Sequence, residues 1–294
     1  MIPGELAALG TALSWTCSSL AFEGATRRLG SITVNMLRVV LAFGFLTAIA
    51  AIDRGRALPT DATAAQWGWL ALSGLIGMVL GDLCLFRAYI EIGARRTMLV
   101  QTLAPVFTAI IGFAVLGEHL AARGILGIAL VVAGVAWSVA ERRATGGGQV
   151  MRARGLLLAI GGALGQAGGL VLSKRGLAGY DPVAGTQIRV LAGVVGFAIV
   201  VTAIGYWRQI AGVRREPRAV AMVSVGAFFG PCVGVVLSLY AVAHTQAGIV
   251  AAIIATTPIW LIGVALARRE AVGARGVLSG LVAVAGVALL LIPA

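Results

Sequence analysis

Apolar residues run through this chain in long unbroken stretches, separated by short polar segments rich in glycine and arginine. A helix needs about 20 mostly apolar residues to cross a bilayer. Ten stretches approach or exceed that length: 3–22, 33–52, 67–90, 97–116, 124–140, 155–173, 183–206, 219–242, 247–267 and 273–292. None alternates apolar with polar residues, so barrel strands are not predicted. The pattern predicts an all-α polytopic membrane protein with ten transmembrane helices. The longest internal polar segment, Glu141 to Arg154, lies at the midpoint and reads as a linker.

That midpoint divides the chain into residues 1–143, a linker at 144–154 and residues 155–294, and the two halves are related. Gly10, Ala12 and Leu13 fall on Gly161, Ala163 and Leu164, and the same offset sets Arg38 on Arg189. A shift of two more residues sets Gly77 and Gly81 on Gly230 and Gly234, and Pro105 on Pro258; later, Gly134 falls on Gly286. Five spans per repeat is an odd number, so the second copy must enter the membrane from the opposite side. Such inverted repeats recur in secondary transporters, where exchanging the conformations of the halves alternates access. Pro231 falls opposite Met78, which predicts a kink in the second half that the first half lacks.

Composition agrees with a lipid solvent. The 294 residues are 60% hydrophobic and 12% charged, against roughly 45–50% and 25% in soluble proteins. The net charge of +12 sits mostly in connectors, where basic residues orient spans, so no nucleic-acid partner is expected. Loops after odd-numbered spans hold about fifteen Lys and Arg, those after even-numbered spans about five. By the positive-inside rule both termini then lie outside. Cys17, Cys84 and Cys232 fall within apolar runs with no metal or redox spacing and read as buried, inert thiols. No HExxH or GxSxG motif and no pair of mid-span aspartates is present, so no catalytic residue, metal or cofactor is expected. The N-terminus lacks a basic leader, so the first apolar run is expected to be a retained span.

The segment Gly81-Asp-Leu-Cys-Leu-Phe-Arg-Ala-Tyr89, then Leu103-Ala-Pro-Val-Phe107, Leu116-Gly-Glu118 and Gly134, resembles the EamA repeat of the drug/metabolite transporter superfamily. Leu239-Tyr-Ala241, Thr257-Pro-Ile259, Arg269-Glu270 and Gly286 echo it in the second half. The resemblance implies a ten-helix bundle with a central cavity between the halves, exporting small metabolites such as amino acids or drug-like compounds. It leans toward both termini inside, against the charge count. The expected setting is the inner (plasma) membrane of a bacterium, as a monomer or loose dimer.

Several residues are candidates for transport. Pro105 and Pro258, near the middle of equivalent spans, would free the carbonyls of Gln101 and Ile254 and act as hinges. Helical spacing places Gln101, Pro105 and Thr108 on one stripe, and Thr256 and Trp260 on another. Trp15 and its repeat mate Gln166 mark stripes in spans one and six. Aromatic rings beside amides and hydroxyls suit a small amphiphilic substrate; packing between helices by small and hydroxyl residues is the competing reading. Arg38 and Arg189 lie within snorkelling reach of span ends, and their symmetry suggests scaffold charges that bind helix-end carbonyls. Asp82 lies about 12 Å from the nearer end of its span, too deep to snorkel. Burial favours its neutral acid, making it a candidate for proton coupling or for a substrate amine; a structural cross-link to a neighbouring span is the alternative. The expected function is a secondary active exporter of a small metabolite, with protons as candidate coupling ions. A non-transporting scaffold subunit, an intramembrane enzyme, and a lipid or nucleotide-sugar carrier remain alternatives.

Overall fold

The computed structural model describes residues 3–141, 153–257, 259–260, 263–264 and 274–291. They contain helices and turns, with no strand among them. The first half contains α1 (Gly4–Leu29), α2 (Ser31–Asp53), α3 (Ala64–Gly74), α4 (Asp82–Gln101), α5 (Ala104–Leu116) and α6 (Ala122–Glu141). The second contains α7 (Ala153–Leu177), α8 (Pro182–Ala203), the short α9 (Trp207–Ala211), α10 (Pro217–Ala227), α11 (Val235–His244), α12 (Ala247–Ile254) and α13 (Ala274–Leu291). Among the described residues, five helical segments are long and apolar enough to cross a membrane: Ser31–Asp53, Ala64–Leu85, Ala153–Leu177, Pro182–Ala203 and Pro217–His244. Ala104–Leu116, Ala122–Trp137 and Leu278–Leu289 are shorter and apolar. Side chains such as Ile52, Leu157, Ile199 and Leu281 remain exposed on outer faces, as a lipid solvent permits. Cys17 is exposed and Cys84 half-buried, and of the three thiols expected to be buried only Cys232 is.

Two boundaries differ from the sequence pattern. No loop separates predicted spans three and four, because α4 continues to Gln101. Its Glu-, Ala-, Arg-, Met- and Leu-rich end favours helix. The break falls at Thr102–Leu103, and Pro105 sits in the first turn of α5 rather than inside a helix. There its missing N–H costs nothing. The predicted mid-helix kink is therefore a helix start. Pro258 lies outside the described residues.

The asymmetric kink expected from Pro231 is also corrected. A π turn spans Phe228–Gly234, between α10 and α11, and an equivalent π turn spans Leu75–Gly81, between α3 and α4. Each lies 153 residues from its mate (228 − 75 and 234 − 81). Met78 makes the same turn that Pro231 makes, so proline is not its cause. Both turns instead press small residues onto a neighbouring helix. A Cβ on Gly77 would meet Gly169 at 3.4 Å, and one on Gly81 would meet Gly165 at 3.4 Å. In the other half Gly230 abuts Ser18, and Gly234 abuts Trp15. One hydroxyl ties each contact: Ser73 donates to the Gly169 carbonyl at 2.7 Å, and Ser18 donates to the Gly226 carbonyl at 3.0 Å.

The α6–α13 contact is symmetric within itself. A Cβ on Gly134 would meet the Ser279 carbonyl at 2.8 Å, and one on Gly286 would meet the Gly127 carbonyl at 2.9 Å. These four residues form two pairs of repeat mates, each 152 apart (286 − 134 and 279 − 127). Backbones this close leave no space for a side chain.

Candidate functional site

The two π turns and the break before α5 border one internal cavity of about 370 Å³. Its wall draws on α1, α2, α4, α7, α8, α11 and α12, so both halves contribute. Asp82 opens α4 directly after the first π turn and is buried. Its Oδ2 accepts a hydrogen bond from Nη2 of Arg38, with which it forms an ion pair. Its Oδ1 accepts from Nε2 of Gln166 at 3.3 Å. Both carboxylate oxygens are thereby engaged, one from α2 and one from α7. Asp82 thus both faces the cavity and cross-links α4 to two neighbouring helices, so both sequence readings keep their footing.

Arg189, the repeat mate of Arg38, has no such partner. It is only 6% exposed, lines the cavity, and makes no hydrogen bond or ion pair among the described residues. The reason is legible in the sequence, because the mate of Asp82 is Val235, which lines the same cavity. Neither arginine binds helix-end carbonyls among the described residues, although Arg38 ties α2 to α4 through Asp82. Both are cavity residues.

Of the other predicted site residues, Trp15, Gln101 and Gln166 line the cavity. The Trp15 Nε1 is buried without a partner, and Gln101 donates to the Ala159 carbonyl at 3.4 Å. Thr108, Thr256 and Trp260 do not line it, which corrects the stripe reading. Thr108 bonds back to the Ala104 carbonyl at 2.8 Å, and Thr256 to Ile253 at 2.6 Å. The indole of Trp260 donates to the Thr256 hydroxyl at 3.3 Å. Pro105 is buried behind Ala104, and Ala104 and Thr257 face the cavity in place of the predicted neighbours. The break before α5 turned the stripe by changing the helical phase. Ser238 and Pro231 also lie in the wall, neither expected there, and Ser18, on the same stripe as Trp15, joins them; only the second π turn, invisible to periodicity, brings Pro231 there.

A network of charged and polar side chains joins α1, α5, α7 and α12. Gly117 adopts φ 67° after α5, a left-handed turn that suits glycine, and it places Glu118 against α7 and α12. The Glu118 carboxylate lies 2.6 Å from the Lys174 ammonium and accepts from the Ala247 N–H at 2.9 Å. Lys174 also donates to the Thr245 carbonyl at 2.6 Å, and Thr245 donates to Glu5 at 2.9 Å. Beside α2, Asp61 accepts from Arg54 at 2.6 Å and from Tyr180 at 2.9 Å. Those two hydrogen bonds, Tyr180 first, hold the Asp61 carboxyl below its usual range. Burial, then Asp61, pushes Tyr180 up to about 12.

The sequence profile of the EamA-like transporter family matches the chain twice, over residues 2–140 and 153–292. The chain belongs to this family. Its EamA-like halves thus account for nearly every residue; the π turns and the paired arginines recur once per EamA-like unit, and the α6–α13 contact joins the two units. Among solved structures, one crystal structure superposes with a TM-score of 0.75 at 17% identity, covering 97% of this chain and 95% of the other. At that identity the likeness shows the EamA-like chain's fold and no more. No curated protein matches the sequence.

Proposed function

We propose that this EamA-like protein is a secondary active exporter of a small metabolite, an amino acid or drug-like compound, in a bacterial inner membrane. It works by alternating access between two inverted five-helix halves, ten spans in all. The observation that carries the reading is an internal cavity whose wall is shared between the halves, where Asp82 of the first half accepts a hydrogen bond from Gln166 of the second. A volume of about 370 Å³ lies near the lower limit of roughly 300–1,000 Å³ for small-molecule pockets. That favours a metabolite over a nucleotide sugar or a lipid. The Glu118–Lys174 network serves as the closed gate at one end.

Asp82 is the coupling residue in this reading. Its release from Arg38, by a proton or by a substrate amine, loosens α2 from α4 and links occupancy to the opening of the halves. The test is tracer flux in liposomes containing the purified protein, with and without a pH gradient. Asp82→Asn, shown to fold, is expected to abolish the pH dependence of flux. Unchanged flux at every pH assigns Asp82 a structural role, and no flux of any tracer class favours the scaffold alternative.

A further inference from the structure

We infer that Arg189 is the anion subsite of the cavity, and that the molecule bound there is a small monocarboxylate with an apolar body. The inference deepens the transport reading by naming its substrate class, although the binding site stands or falls separately from flux.

Three observations converge on it. Arg189 is more than nine-tenths buried, lines the cavity and lacks a partner among the described residues. A buried guanidinium without a counter-charge is costly inside a membrane, and such charges belong to function unless something nearby pairs with them. Its repeat mate Arg38 has that pairing in Asp82, and the corresponding position beside Arg189 holds Val235. Duplication thus left two arginines at equivalent sites and an acid at only one. A scaffold role shared by both would have needed the acid twice.

The charges in the wall sum to one. Among its described lining residues are Arg38, Asp82 and Arg189, two positive and one negative, for a net +1. A single negative charge balances it; a phosphate dianion would overshoot, and an amine would add to the excess. The guanidinium fork matches a carboxylate in two parallel hydrogen bonds. Leu85, Leu170, Val235 and Ile254 make the rest of the wall largely apolar.

The test uses 3-phenylpropionate, the matched cation 3-phenylpropylamine, and phenyl phosphate with the purified full-length protein. Thermal shift and equilibrium dialysis are the readouts. The carboxylate is expected to stabilise the protein and to bind at least tenfold more tightly than the amine. Arg189→Gln should weaken that binding at least tenfold, and Arg189→Lys should retain part of it. Preference for the amine or the phosphate, absence of carboxylate binding, or equal affinity in Arg189→Gln overturns the inference. Should Arg189→Gln not fold, the acid-versus-amine contrast in the wild type and the Lys variant decide. Carboxylate that binds through Arg189 but never crosses a liposome membrane sinks the transport reading and leaves the subsite standing. Flux of the amine, unaffected by Arg189→Gln, does the reverse.

Discussion

The Arg38–Asp82 pair sets the largest single-residue effect in the molecule. Removing one partner of a buried ion pair strands the other charge, at a cost of about 3–5 kcal/mol. Asp82→Asn and Arg38→Gln are each expected to lower the melting temperature in detergent markedly. The double variant should lose clearly less than the sum, because no charge is then stranded. Additive losses in that double-mutant cycle would show that the two side chains are not coupled. Outside the membrane the Asp61 cluster yields a pH signature. The Asp61 carboxyl is depressed in the folded state, so its contribution is present above the ordinary carboxylate value of about 3.9. It is lost as pH falls through the lower folded value. Tyr180 is raised to about 12, so its contribution is complete below its ordinary value of about 10 and fades as pH climbs through 12. Hydrogen exchange of residues 54–63 should therefore show protection at neutral pH and faster opening in strong acid. In Tyr180→Phe that protection should weaken at neutral pH, and the difference from the wild type should vanish in strong acid.

At the scale of elements, glycine contacts carry the packing. Gly134→Val and Gly286→Val put side chains into the same backbone crossing from opposite helices. Each is expected to destabilise by about 1–3 kcal/mol, the usual cost of overpacking. Similar losses of melting temperature in the two variants follow from the local symmetry; a large difference would contradict it. The repeat match of Gly77 and Gly81 with Gly230 and Gly234 was legible in sequence, because spacing alone reveals it; the helices they pack on were not. Nor were the π turns. An extra residue in a helical turn leaves no compositional mark, and Pro231, the visible clue, pointed to a difference between halves that does not exist. Pro105 misled in the same way: its chemistry was read correctly as an interruption, but its place as interior or start depends on where α4 stops. That in turn depends on the helix-favouring run from Glu91 to Gln101, which a count of apolar residues passes over as a connector.

For the whole molecule, repeat halves and membrane character followed from hydropathy and offset matches, and the cavity residues only in part. Trp15, Gln101, Gln166 and Asp82 could be found because polar or aromatic groups inside spans are rare. The partnership of Asp82 with Arg38 could not, since the two were weighed on separate helices and nothing local fixes how α2 meets α4. Orientation remains a matter for measurement. The arginine count expects both termini outside, and a C-terminal fluorescent reporter that is dark in the cytoplasm is the expected outcome. Gating belongs to this scale as well. Glu118→Gln unties α5 from α7 at one end of the bundle, so cysteine labelling of cavity positions from that side should accelerate several-fold over the wild type.

The two hydroxyl bonds beside the π turns have a bearing on how such halves grow apart. Ser73 reaches from α3 of the first repeat to α7 of the second, and Ser18 reaches from α1 of the first to α10 of the second. The position equivalent to Ser73 is Gly226, and that equivalent to Ser18 is Gly169 (73 + 153 and 18 + 151). Each copy of the contact has one serine and one glycine, on exchanged helices. What is inherited is the bond, and either helix can donate it. Two descendants of one ancestor can therefore lose identity at both positions of a contact while the contact itself survives. Residue-by-residue comparison of such halves will always underrate their kinship.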